Sequence, residues 1–285
     1  MNPHSWFPTS PCGDGCLSGH EPSVSRPLRW LRLLALVLVV LLALLSVPLL
    51  VVVGRRAREV AARVVFRLVL VAVGVRLRVS GAAGLATRGR GVLVVHNHVS
   101  WLDIVAVSAV RPMRALAKSE IARWPVLGWL VSAGGSVYVD RAGLRSLPAT
   151  VARLAEVLRG GSAVTVTPEG TTWCGLTHGR FRPAAFQAAI DGGVPVLPVA
   201  LRFRLRAGEA TTAPAFIGAD TIVDSVRRVV ALRGLALEVH VLDEIAPGRA
   251  ADRRELAALA EAAVDTVLAP APARHPVRSE LDVAG

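Results

Sequence analysis

The sequence predicts an α/β fold with a largely parallel central sheet and flanking helices, preceded by N-terminal membrane-associated helices. Three observations predict it. From residue 75 onward, short apolar runs alternate with helical patterns, the signature of strand–helix units closing a mostly parallel sheet. Two of those helical patterns end in Gly pairs, Gly160-Gly161 and Gly192-Gly193, just before the next apolar run. Ahead of this region lie a long charge-free run and a basic amphipathic stretch.

Residues 1–27 are rich in Pro, Ser and Gly without periodicity, and are expected to lack fixed structure. The run LLALVLVVLLALLSVPLLVVV at 33–53 then carries 21 residues without a charge. At about 1.5 Å per residue it matches a hydrocarbon core of roughly 30 Å. A secretory signal is disfavoured, because the run starts late and no small-residue cleavage pattern follows it. Pro48 leaves a re-entrant hairpin open beside a full crossing. Arg26, Arg29 and Arg32 precede the run, while Arg55, Arg56, Arg58 and Arg63 follow it, which favours a cytoplasmic C-terminal side. Over 55–72, Arg56, Glu59, Arg63 and Arg67 form one stripe opposite Val60, Val64, Leu68 and Val71. This pattern suits a helix at a membrane surface, or alternatively one packed on a soluble core. Together, 28–74 form the expected membrane-anchoring unit.

The domain at 75–270 offers strands at 75–79, 91–95, 114–117, 136–139, 163–167, 195–201 and 237–242. Helical patterns lie between most of them, at 101–110, 120–132, 145–159 and 184–191, and a last one covers 253–268. Residues 271–285 form a tail expected to lack structure. The 285-residue chain is long enough for one sizeable core plus an appendage. It is 53% apolar with a net charge of +12, nearly all from Arg, since Lys118 is the single lysine. Such a charge suits nucleic acid, an anionic membrane or an acidic substrate, and the hydrophobicity selects membrane. Cys12, Cys16 and Cys174 form neither a disulfide framework nor a four-ligand zinc pattern, so they are read as free thiols.

Open α/β sheets place their sites at the carboxyl ends of the strands. There the sequence puts His96, Asn97 and His98, then Lys118, then Asp140 and Arg141, then Pro168, Glu169, Gly170 and Thr171. A base, two cations and a Gly-containing polar turn are thus expected on one edge. Ser100 and Asp103 have capping-box spacing, which places His98 just before a helix and Asp103 in its first turn. A reversal there brings imidazole to carboxylate, as a general base requires; the alternative role for Asp103 is capping alone. A metal at His96 and His98 lacks further ligands of suitable spacing. The letters His96-Asn97-His98 also spell a nuclease motif, but in those enzymes the three residues are spread over a metal-binding unit. Lys118 and Arg141 are suited to an anion, Arg as a planar fork and Lys as a point charge.

NHVSWLD at 97–103 resembles the NHxSxxD motif of PlsC-type glycerolipid acyltransferases, also called lysophospholipid acyltransferases. VYVDR at 137–141, TPEGT at 167–171 and VPVLPVAL at 194–201 resemble further family blocks in the same order, as do AKSEI at 117–121 and WPVLGWL at 124–130. The resemblance covers about residues 75–245. It implies transfer of an acyl group from acyl-CoA or acyl carrier protein to a lysolipid hydroxyl, favouring lysophosphatidate and yielding phosphatidate. His98 would be the base and Asp103 its orienter, with no acyl-enzyme. Arg141, supported by Lys118, would hold the acceptor phosphate, while Glu169, Gly170 and Thr171 would shape the acceptor pocket. No metal or other cofactor and no nucleic acid is implied, and the location is the cell membrane with the catalytic domain on the cytoplasmic face. There are departures: where the family often reads FPEGTRS, Thr167 replaces Phe and Thr172 replaces Arg, and FKxG becomes Phe181-Arg182-Pro183-Ala184. PEGTT also resembles the branch acylating lyso-ornithine lipid, the alternative acceptor. A non-catalytic membrane lipid-binding protein is the reading from another class.

Overall fold

The computed structural model describes residues 10–17, 19, 21–81, 85, 89–124, 127–140, 143–206, 208–218 and 220–269. The expected tail at 271–285 and residues 1–9 lie outside them, as does Arg141.

In chain order the elements are α1 (Arg26–Val52), α2 (Arg55–Ala72), β1 (Arg76–Ser80), β2 (Val92–His96), α3 (Leu102–Val110), β3 (Arg114–Lys118), α4 (Leu127–Ala133), β4 (Val137–Val139), α5 (Leu147–Arg159), β5 (Ala163–Val166), α6 (Ala184–Gly192), β6 (Val196–Arg204), α7 (Ile222–Ala231), β7 (Ala236–Val241) and α8 (Arg253–Leu268). Seven strands form one sheet in the order β1-β7-β6-β2-β5-β3-β4. Every pairing is parallel except β6 with β7, so β7 and β1 run against the other five. β2 sits between β5 and β6, with Leu93 opposite Val164 on one side and Val196 on the other. The connections leaving β2 and β5 pass in opposite directions around it, which makes its carboxyl end the switch point where open α/β sheets place their sites.

The pleat divides the core cleanly. Val92 and Val94 pack with Leu197, Val199 and Leu201 beneath α2, α3 and α7. Leu93 and Val95 face the other way, onto Leu154, Leu158, Phe186 and Ala260 of α5, α6 and α8. All five residues of β2 are buried, as expected for a central strand covered on both faces.

α7 carries no prediction from its apolar periodicity, although a capping box opens it. The Thr221 hydroxyl accepts the Asp224 N–H, and the Asp224 carboxylate accepts the Thr221 N–H. That Thr-x-x-Asp spacing and the helical repeat of Ile222, Val226, Val229 and Val230 were the available signals.

α1 is long and apolar enough to cross a membrane by length and composition, and almost none of its apolar window is buried. It nevertheless turns back at Val53-Gly54 into α2, which packs along it and leads into β1. At its start, Arg32 donates to the Val230 and Leu232 carbonyls, each at 2.8 Å, at the end of α7. Both ends of this helical hairpin are therefore held by the α/β domain. α2 buries Leu70 and donates from Arg67 to the Ala109 carbonyl, yet leaves Val60, Val64, Leu68 and Val71 exposed. The apolar stripe thus faces outward, while Phe66 and Leu70 on another face pack on the domain core.

The segment before α1 departs from expectation as well. Val24 N–H bonds the Ala231 carbonyl, the Ser10 hydroxyl bonds the Thr172 carbonyl, and Cys12 is buried. Composition predicts disorder when a segment cannot build its own core; the described residues of this segment, 10–17, 19 and 21–25, instead borrow the domain's core.

Candidate active site

The site grows from the carboxyl end of β2. His96 ends the strand fully buried, and its Nδ1–H donates to the Asn97 carbonyl at 2.8 Å. Burial holds its proton affinity below the ordinary histidine value, so it stays neutral. Asn97 then continues the ladder with its side chain. Its amide donates to the Leu201 carbonyl at 3.0 Å and accepts the Leu201 N–H at 2.8 Å. This two-point clip on β6 fixes where the turn begins, and nothing in the residue pattern had marked Asn97 for it.

After that clip the chain reverses into α3. Asp103, with no exposed surface, gathers the reversal on one oxygen. Its Oδ2 accepts the Val99 N–H at 2.7 Å, the Ser100 N–H at 2.8 Å and the His98 Nδ1–H at 2.9 Å. Capping and orienting are therefore one arrangement rather than alternatives. The helix starts one residue later than the Ser100 cap predicts, and the Ser100 hydroxyl takes the Leu102 N–H at a long 3.4 Å. Because a carboxylate only accepts, Nδ1 carries the proton and Nε2 presents a lone pair. The His98 side chain is 18% exposed, enough for Nε2 to meet a substrate. The imidazole can accept a proton there while the buried carboxylate stabilises the cation that forms.

Two further segments grip this turn. Trp173 N–H bonds the His98 carbonyl at 2.8 Å, and Phe216 N–H bonds the Val99 carbonyl at 2.9 Å. The first belongs to the polar turn after β5, where Gly170 N–H closes on the Thr167 carbonyl at 3.1 Å. Gly170 holds φ +80, a left-handed conformation that strains other residues. The Arg182 side chain lies beside it, close enough to meet any added Cβ at 3.0 Å. Arg182 is thus a cation at the turn, where Thr172 replaces the family's Arg. Thr171 sits half-buried beside it, while the Thr172 hydroxyl bonds the Phe216 carbonyl. Phe216 belongs to a segment carrying no expectation from sequence; Arg228 braces it by donating to the Ala213 and Ala215 carbonyls and to Asp220.

Glu169 is 3% exposed, and neither carboxyl oxygen has a hydrogen-bond partner among the described residues. Burial is the main force pushing its carboxyl up to about 9, and the charges of Asp103 and Glu261 add to the shift. The His98 and Gly179 amides oppose it from outside hydrogen-bond geometry. Glu169 is therefore a neutral acid at neutral pH. Between 4.5 and about 9 the unfolded chain releases this proton while the folded chain keeps it. The folded state binds more protons in that window, so rising pH costs stability there, by up to about 1.4 kcal/mol per pH unit. Glu169→Gln, which has no proton to lose, is expected to flatten this dependence. Melting curves at about pH 5 and about pH 8 check it: the variant should gain on the wild type at the higher pH. Parallel curves would show Glu169 ionised in the fold.

Lys118 ends β3 exposed, two strand spacings from β2, a distance of roughly 10 Å between strand ends. β2, β5, β3 and β4 are neighbours and mutually parallel, so the residues after them do share one edge. The structure joins His98 to Asp103 and brings Glu169 to the same turn. It places Lys118 further along the edge, and Arg141 lies outside the described residues.

Comparison with known proteins agrees with this geometry. The Acyltransferase family model matches residues 76–202. The chain is 38% identical over 181 residues to a 1-acyl-sn-glycerol-3-phosphate acyltransferase of Neisseria gonorrhoeae, covering 63% of this chain and 70% of that one. It is 37% identical over 193 residues to a lyso-ornithine lipid O-acyltransferase of Pseudomonas aeruginosa, covering 67% and 72%. The crystal structure of the 1-acyl-sn-glycerophosphate acyltransferase PlsC from Thermotoga maritima shares the fold, with a TM-score of 0.62 at 20% identity over 84% of this chain and 96% of that one. Fold, ordered motifs and relatives converge: the chain belongs to the PlsC-type acyltransferase family.

Proposed function

We propose that this acyltransferase moves a fatty acyl group from acyl-CoA or acyl carrier protein to the free hydroxyl of lysophosphatidate. The observation that carries the reading is the His98–Asp103 pair, with Nδ1–H committed to the carboxylate and Nε2 open. Nε2 takes the acceptor's hydroxyl proton as its oxygen attacks the thioester carbonyl. The C–O bond forms, the carbonyl electron pair moves onto oxygen, and its return expels the thiolate. The thiolate takes the proton from the imidazolium, which Asp103 has stabilised meanwhile. Thioester and alcohol are consumed and ester and thiol released, so neither metal nor acyl-enzyme is required.

Lys118 and Arg182 supply positive charge on the edge that receives the phosphate, Arg141 is the phosphate's principal ligand, and Glu169, Gly170 and Thr171 form the turn that shapes the acceptor pocket. A second acceptor, lyso-ornithine lipid, is favoured by Thr172 standing where the family carries Arg and by the Pseudomonas relative. The acceptor is tested by assaying a panel of lysolipids with both donors on the purified protein in detergent. Lysophosphatidate is expected to turn over fastest, and activity confined to lyso-ornithine lipid would overturn the assignment. In the same assay Arg141→Ala should raise KM for lysophosphatidate about tenfold or more with little change in kcat, since a charge-assisted hydrogen bond contributes about 1.5–3 kcal/mol. An unchanged KM would remove Arg141 from the phosphate site.

The enzyme sits at the cytoplasmic face of the membrane, where both lipids reside. The outward stripe of α2 and the arginines that follow the apolar run support this reading. Because the domain holds both ends of the hairpin, dipping into one leaflet fits better than carrying residues 10–25 across the bilayer.

A further inference from the structure

Spacing alone leaves the three cysteines without a common purpose, but the fold brings them together. Cys12 precedes and Cys16 ends the 3-10 turn Asp14–Cys16, which the Cys16 N–H closes on the Gly13 carbonyl at 2.9 Å. Cys174 arrives from the turn after β5, five residues beyond Glu169. Its N–H donates to the Cys12 sulfur at 3.3 Å. All three sulfurs lie within 4.8 Å of one another, with Cys12 and Cys174 buried and Cys16 half-buried.

We infer that Cys12, Cys16 and Cys174 form a structural zinc(II) site, with a solvent water completing four ligands. Zinc–sulfur bonds of about 2.3 Å in a tetrahedron set sulfurs about 3.8 Å apart, so small side-chain movements close the cluster on the ion. In the turn after Cys174 the Thr177 hydroxyl, three residues on, lies 3.8 Å from its sulfur. Gly175 permits this turn with φ +90. On binding, three thiols release their protons to solvent and three sulfur–zinc bonds form, with no change in oxidation state. A disulfide would join two sulfurs and strand the third.

The ion would staple residues 12–16 onto the turn bearing Glu169 and Trp173. The Ser10 hydroxyl on the Thr172 carbonyl and the Thr212 hydroxyl on the Cys16 carbonyl already run beside this junction. The staple is independent of which lysolipid the enzyme accepts.

The test uses the full chain, purified in detergent under reducing conditions, with metal measured by plasma mass spectrometry. One zinc per chain is expected, lost in Cys16→Ser, a variant of the least buried ligand whose fold is verified by circular dichroism. Cobalt(II) added to the metal-free protein should give thiolate charge-transfer absorption in the wild type only. A chelator should lower the wild-type melting temperature by several degrees and leave Cys16→Ser unmoved. Protein that retains no zinc and shows no cobalt–thiolate band would overturn the site. So would zinc that survives Cys16→Ser, or a native mass two hydrogens low from a disulfide.

Discussion

His98→Ala is expected to abolish acyl transfer, lowering kcat by about 100- to 10,000-fold. Nothing else in the described site offers a lone pair at that position. His96 is two residues away but faces the core with no exposed surface, its Nδ1–H spent on the Asn97 carbonyl. Glu169 is buried and held protonated by its surroundings. The structural cost should be small, because Asp103 keeps the Val99 and Ser100 amides on Oδ2 after the ring is removed. A melting temperature close to wild type together with lost turnover would identify His98 as the base. Equal turnover by the variant would remove it from the chemistry.

Asp103 is expected to show the other large effect, through two separable losses. Asp103→Asn keeps an oxygen for the two backbone amides but removes the charge behind the imidazolium. Activity should fall by roughly 100- to 10,000-fold with only modest destabilisation. Asp103→Ala also strands two buried N–H groups, at about 1–3 kcal/mol each, and should lower the melting temperature as well. Kinetics and thermal melts of the pair separate charge from scaffold. Should Asp103→Asn keep wild-type turnover, the carboxylate would be a cap and nothing more.

Much of the architecture was legible because it is written at short range. β2 and β5 read as strands since each is a short apolar run, and the helices of 145–159, 184–191 and 253–268 show the 3.6-residue period. The strand-end rule then collected His98, Lys118, Glu169 and their neighbours on one edge before any coordinate was known. α7 escaped although its signals were present: Ile222, Val226, Val229 and Val230 repeat at helical spacing behind the capping box, but over only ten residues. The order reversal of β7 against β6 escaped too, since a strand's own residues carry no mark of its partner's direction.

By itself, the sequence determined the α/β class, the long apolar N-terminal helix and the acyltransferase family, because periodicity and ordered motifs depend on neighbours a few residues apart. Tertiary structure decided what depends on distant partners. It turned α1 and α2 into a hairpin with both ends on the domain, and it buried Glu169 so that its acid stays neutral. It also set Cys12 against Cys174, 162 residues along the chain. Solvent exclusion and convergence of remote segments create such environments, and neither is written in local spacing.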